Sequence, residues 1–167
     1  MAALGALWRA PMAYGDLARE VRQFAARIVG PSLDLLGTSI ELLKFEGLIA
    51  DGAAARLVLT AAGEDALRDY MTSSVRPGVS DMNKLVVALK LRFIEVLDAD
   101  AQRDQLEQLR AMYEGELARL RDLAGAARRR HQPAQLHIVR HLRPQVGDAL
   151  ALLGLLSLEG LGLAVRV

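Results

Sequence analysis

Apolar positions recur along this chain mostly at steps of three and four, a periodicity that predicts helices through most of its length. Leu4, Leu7 and Trp8 mark a short first helix ending before Pro11. Leu17, Val21, Phe24 and Ile28 mark a second, from about Asp16 to Ile28, which Gly30-Pro31 stops. Ser32 is suited to cap a third helix carrying Leu33, Leu36, Ile40 and Leu43, and Gly47 stands where a C-cap is expected. The period then changes. Asp51-Gly52 is a turn signal between a partner strand, Leu48-Ile49-Ala50, and the strand Arg56-Leu57-Val58-Leu59. Thr60 can cap a fourth helix over Gly63 to Tyr70. The predicted order is three helices, a hairpin and a helix.

Small polar residues, Pro77 and Gly78 fill the stretch from Thr72 to Ser80, which separates a compact module over 1–72 from a helical region over 81–167. Asp81 is the expected cap of an apolar helix through Leu85, Val86, Leu89, Phe93 and Val96, broken near Asp98-Ala99-Asp100. A long helix follows, with Leu106, Leu109, Tyr113, Leu117, Leu120 and Ala124 on one face. It ends in Arg128-Arg129-Arg130, cations suited to the negative end of the helix dipole. After Pro133 a last helix carries Leu150, Leu153 and Leu156, and Pro144 is expected to kink or restart it. The stripe from Leu106 to Ala124 fits either an intramolecular core or a dimer interface. The interface is favoured, because a long helix beside an unusually apolar terminal helix exposes more apolar surface than one small domain hides. Leu106, Leu109, Tyr113, Leu117, Leu120, Leu150, Leu153 and Leu156 are then the dimerisation residues, with Tyr113 as an anchor.

Composition narrows the class. The 167 residues are 52% hydrophobic, 25% charged and only 4% aromatic, which suits a mainly α globular chain packed by aliphatic stripes. Cysteine is absent, which removes disulfides, thiol nucleophiles and iron–sulfur ligation. The longest uncharged run near the C-terminus, Ala149 to Leu158, is about half of what a bilayer requires. Arg9 interrupts the first apolar stretch and no basic region precedes it, so neither a membrane span nor a signal peptide is expected and the default location is cytoplasmic. The net charge of +1 divides into −2 over residues 1–75 and +3 over 76–167, so neither half binds polyanions by charge alone.

Candidate enzymatic chemistry is sparse. His137 and His141 lie four apart on a predicted helix, but no nearby third ligand completes a metal site. Asp98, Asp100 and Asp104 lack the glycine and terminal glutamate of a calcium loop. With no glycine-rich phosphate loop or Ser-His-Asp arrangement, neither an enzyme nor a cofactor is expected.

Three helices, a wing and a helix describe a winged helix-turn-helix, in which the third helix enters a major groove and the hairpin touches the flanking backbone. Pro11-Met12-Ala13-Tyr14-Gly15-Asp16-Leu17, the segment from Ile40 to Ile49 closing in Gly47-Leu48-Ile49, and Leu57-Val58-Leu59-Thr60-Ala61-Ala62-Gly63 together resemble the PadR family of bacterial transcriptional regulators. The resemblance covers most of the chain, since that family carries a C-terminal helical dimerisation region that Asp81 to about Gly160 would supply. It implies a homodimer reading a pseudo-palindromic operator in double-stranded DNA, repressing by blocking polymerase. A small-molecule effector of unknown identity would act by changing the spacing of the two reading heads.

On the third helix, Ser32, Thr38, Ser39 and Lys44 are the residues able to contact DNA, while Asp34, Glu41 and Glu46 oppose phosphates. Arg56 is placed at the wing tip against phosphate. Arg19, Arg22 and Arg27 on the second helix are either backbone contacts or a solvated face. The acidic, apolar third helix, with Leu35, Leu42 and Phe45 beside its core stripe, keeps open an alternative: a dimeric protein-interaction module on the same scaffold with weak or lost DNA binding.

Overall fold

The structure, a computed structural model, describes residues 1–29, 37–76 and 80–163. It divides the chain into two compact units, one over 1–73 with 80–98, the other over 74–79 with 99–167.

The first unit contains α1 (Ala2–Arg9), β1 (Met12–Ala13), α2 (Tyr14–Val29), α3 (Gly37–Phe45), β2 (Ile49–Asp51), β3 (Arg56–Leu59), α4 (Ala61–Thr72) and α5 (Asp81–Arg92). Short 3-10 turns span Ala53–Ala55 and Ile94–Val96. β3 lies between β1 and β2 in an antiparallel sheet, with Ala50 opposite Val58 and Met12 opposite Leu57. The core is aliphatic: Leu4 and Leu7 of α1, Leu17 and Val21 of α2, Ile40 of α3, Ile49 and Leu57 of the sheet, and Leu67 and Met71 of α4 are buried. This is a winged helix with a third strand. The β1 strand was not among the predicted elements, because two residues after a proline carry no period of their own and gain strand geometry only by pairing with β3, about 45 residues away.

Two capping motifs fix the ends that matter. At the end of α3 the Leu48 amide donates to Leu43 O (2.9 Å) and the Gly47 amide to Lys44 O (3.0 Å), with Gly47 at φ 71°, the left-handed residue of a Schellman cap. The Thr60 hydroxyl accepts from the Gly63 amide at 3.0 Å, capping α4 as expected. A Cβ on Gly63 would collide with the Leu48 carbonyl, so glycine lets α4 start hard against β2.

The units divide differently from the 1–72 and 81–167 boundaries, because α5 packs with the first unit. Its N-cap is Ser80, whose side chain accepts from the Asn83 amide, rather than Asp81. Lys90 is fully buried and its ammonium donates to the carbonyls of Tyr70 (2.8 Å), Met71 (2.6 Å) and Ser73 (2.6 Å), so a side chain of α5 satisfies the end of α4. Phe93 is buried against Gly5 of α1, where a Cβ would stand 2.5 Å from its ring. The Arg92 guanidinium lies 4.9 Å from the Phe24 ring and pairs with Glu20 at 2.8 Å. The Arg9 guanidinium bonds Glu95 at 2.7 Å and the Arg92 carbonyl at 2.9 Å.

The second unit is a helical hairpin of α6 (Ala99–Arg129) and α7 (Pro133–Leu163). His131, at φ 51°, takes the left-handed position of a second Schellman cap. The Gln132 amide donates to Ala127 O at 2.9 Å and the His131 amide to Arg128 O at 3.3 Å. Pro133 then occupies the first position of α7, where a missing N–H costs nothing. Leu120, Val139 and Val146 form the hairpin core, flanked by Tyr113, Leu117, Ala124, Leu142 and Leu150. The restart expected as one outcome at Pro144 does not occur, and α7 runs through it as one helix. Arg140 and Pro144 are both exposed, so the carbonyl that the proline deprives of a donor is open to water.

Candidate nucleic-acid interface

Alternation places Leu57 of β3 in the core and Arg56 outside, while the Schellman cap turns the chain from the last residues of α3 directly into β2. Four residues, Gly52 to Ala55, reverse it between the strands. Ala54 and Ala55 both take left-handed φ values, 54° and 53°, and the Gly52 amide donates to Arg56 O at 2.7 Å. The wing tip is therefore short and uncharged, bounded by Asp51 on one side and Arg56 on the other. Arg56 is exposed at the start of β3, where its Nη1 reaches Pro11 O at 3.5 Å. It stands at the foot of the turn rather than at its tip.

Lys44 is engaged within the chain. Its Nζ donates to both carboxylate oxygens of Asp51 at 2.9 Å, which ties the last turn of α3 to the wing. The hydrogen bond to Asp51 pushes the lysine pKa up, so the cation is permanent, and its charge is already answered. Sequence reasoning missed Asp51, because only the tight turn at Gly47 brings residue 51 back beside residue 44. Arg19 pairs with Asp16 one turn earlier at 3.1 Å, an exposed pair. Arg22 and Arg27 are exposed and form no ion pair among the described residues. Thr38 and Ser39 lie in the first turn of α3. Ser32, Asp34 and Leu35 lie outside the described residues.

On the exposed face of α3, Phe45 is 90% and Leu42 54% accessible, with Glu41 and Glu46 beside them. Leu42 and Phe45 of the apolar stripe seen in the sequence are thus surface features, able to meet thymine methyl groups or another protein.

The residues expected at a dimer interface fall into two groups. Leu109, Leu120 and Leu153 are each 1% exposed within the chain and have no surface left to give to a second copy. Leu106, Tyr113, Leu117 and Leu150 are half-buried, the last three packed on the hairpin core, and burial pushes the Tyr113 phenol pKa up. Leu156 lies on α7. Among the described side chains of the hairpin, the exposed large apolar ones are Leu123, Ile138, Leu152 and Leu155. They were missed because a helix period marks a stripe without saying which edge the partner helix covers. Among the described residues no three His, Asp or Glu side chains gather as metal ligands, and no helix is long and apolar enough to cross a membrane.

A winged-helix head joined to a helical hairpin is an architecture of DNA-binding regulators. The model of the family described as putative AphA-like transcriptional regulators matches residues 1–158, and the chain belongs to that family. By that family it is a transcriptional regulator, the class its motifs indicated, and not an enzyme. None of the curated proteins matches the chain. Among solved structures it is similar to the transcriptional regulator PadR from Bacillus subtilis, at 17% identity and TM-score 0.40, covering 94% of this chain and 95% of that one. It is similar to the PadR-like transcriptional regulator BC1756 from Bacillus cereus at 16% identity and TM-score 0.42, covering 95% of each chain. Bacillus subtilis PadR in complex with operator DNA gives 16% identity and TM-score 0.37, again covering 95% of each.

Proposed function

We propose that this regulator binds double-stranded DNA as a homodimer and represses transcription from a pseudo-palindromic operator. The α3 helix, which carries Thr38 and Ser39, enters the major groove, and Arg56, Arg22 and Arg27 meet phosphates. The observation that carries this reading is the clamped junction of α3 and the wing: one Schellman turn and the Lys44–Asp51 pair hold the two DNA-facing elements as a single rigid piece. The family match supports the regulatory role. The second copy is held through the exposed leucines of the hairpin, Leu123, Leu152 and Leu155, with Ile138. The segments 1–72 and 81–167 then serve chiefly for reading and for dimerisation, with α5 built into the head.

The exposed Phe45 and Leu42 favour the second reading, an interaction module on the same scaffold. Anisotropy titration of the full chain on the DNA upstream of its own gene, and on a scrambled duplex, at two salt concentrations separates them. The expected result is salt-sensitive binding that Arg56→Ala weakens about equally on both duplexes, while Thr38→Ala changes the preference between them. Absence of salt-sensitive binding to either duplex selects the interaction module.

A further inference from the structure

Between residues 117 and 147 the chain carries seven arginines, all three of its histidines and one carboxylate, Asp122, inside a protein whose net charge is only +1. The hairpin gathers four of these arginines around one groove of about 670 Å³, Arg121 and Arg128 from α6 and Arg140 and Arg143 from α7. Leu136 and Val139 form part of its apolar floor. Earlier on α6 the arginines are answered locally, Arg103 by Asp100, Arg110 by Glu114 and Arg119 by Glu116. Around the groove none of the four makes an ion pair or hydrogen bond among the described residues. We propose that this groove is a binding site for a small amphipathic polyanion, a molecule with an apolar body and at least two phosphate or carboxylate groups.

The chemistry follows from the lining. A guanidinium presents a planar fork of donors that fits carboxylate or phosphate in a two-point contact, and four of them with no counter-charge repel one another until an anion enters. Arg121 and Arg128 are seven residues apart, about 10 Å along the helix, so a single small ion cannot engage both and a molecule with separated anionic groups can. The floor asks for an apolar body between those groups. The volume lies within the range of small-ligand sites, roughly 300–1,000 Å³. A second copy related by a twofold axis through the groove would bring the same arginines to face these, a like-charge juxtaposition that disfavours that arrangement. A furrow between two adjacent helices is also too narrow for a duplex. Gly125 lines one wall, and a side chain built there meets only the far end of Arg129, at 3.4 Å. That position admits a plug without disturbing the fold.

As an effector site this groove rests on the regulatory reading above, but its occupancy is measured without DNA, so the two fail separately. The probe is bis-ANS, an aromatic disulfonate whose fluorescence rises in an apolar site, titrated into the full chain, with inorganic pyrophosphate as a competitor lacking the apolar body. The expected result is saturable binding that Arg121→Gln with Arg140→Gln weakens about tenfold or more, through two lost charge-assisted contacts. Gly125→Leu, which keeps every charge, should abolish it, while Arg110→Gln on the opposite end of α6 leaves it unchanged. Pyrophosphate, too short to span the arginines and without an apolar body, should displace the probe only weakly, and less as salt rises; displacement at concentrations as low as those at which bis-ANS itself binds would overturn the requirement for an apolar body. The proposal is overturned if binding is unsaturable, if Arg110→Gln matters as much as the groove variants, or if Gly125→Leu binds normally while circular dichroism shows it folded. It is also overturned if the arginine variants change the sedimenting mass, which would make the groove an interface between copies.

Discussion

Replacing Lys90 by methionine keeps the length and apolar stem of the side chain and removes only its ammonium, so it isolates the bond between α5 and the end of α4. Burial pushes the Lys90 pKa down from 10.5 to about 8, which still leaves the ammonium as the main form at neutral pH, with three N–H donors for three carbonyls. Charge-assisted hydrogen bonds contribute about 1.5–3 kcal/mol each, so their loss sets a gross penalty of roughly 4.5–9 kcal/mol. Relief of the ammonium's desolvation, about 3 kcal/mol from the displaced pKa, offsets part of it. The expected net destabilisation is about 1.5–6 kcal/mol. Trp8, the chain's single tryptophan, sits in α1 of the same unit and reports the loss directly in a urea titration. The midpoint should fall by about 1–2 M with little change of slope. Lys84→Met is the control, because Lys84 pairs with Asp81 at 3.2 Å in the open and its loss should stay within about 0.5 kcal/mol. If Lys90→Met shifts the midpoint no more than Lys84→Met, the three carbonyl contacts do not hold α5 to the head and the placement of that helix is refuted.

Three further outcomes are expected. Asp51→Asn frees Lys44 for a phosphate and removes a repelling carboxylate; in the anisotropy assay, operator affinity should rise about five- to tenfold near 0.1 M salt and the salt slope should steepen by about 0.9 per head, whereas an unchanged slope places Lys44 away from DNA. His131→Gly relieves a left-handed non-glycine residue at the hairpin turn and should stabilise the chain by about 0.5–1 kcal/mol, read as a melting point higher by about 2–3 °C; a lower melting point contradicts the cap. Leu152→Asp with Leu155→Asp alters side chains already 50% and 60% exposed, so sedimentation velocity should show a folded monomer, whereas Leu109→Asp should unfold the hairpin; an intact dimer from the first pair removes that face from the interface.

Elements whose causes are local were readable from the residues alone. Thr60 announces α4, Gly47 ends α3, the Leu106 to Ala124 stripe traces α6, and Pro133 opens α7. What stayed hidden depends on residues distant in the chain. Nothing in the period of α5 says that Lys90 satisfies carbonyls about 20 positions earlier or that the Phe93 ring needs Gly5. Likewise β1 exists because β3 is there to pair with it. At the candidate site the cations were visible but their partners were not. Lys44 meets Asp51 only across the turn at Gly47, while the Arg19–Asp16 pair, three apart on one helix, is the exception. The groove arginines show the converse: their lack of neighbours is a property of the folded hairpin, and spacing along one helix cannot reveal it.

This distribution of partners explains how a chain of net charge +1 can serve two anionic ligands. In the head the acids outnumber the bases, and two of the candidate cations are neutralised, so the DNA attraction proposed above rests on a few positions, Arg22, Arg27 and Arg56, that form no ion pair among the described residues. Few contacts make a shallow salt dependence, and they make each one consequential. In the hairpin the order is reversed: Asp100, Glu114 and Glu116 answer arginines earlier on α6, while the four arginines around the leucine and valine floor make no ion pair among the described residues. Attraction to an anion is thus set by which charges are answered locally rather than by their total. A regulator built this way can keep non-specific attraction to polyanions low while holding two separate places where a correctly shaped anion is favoured.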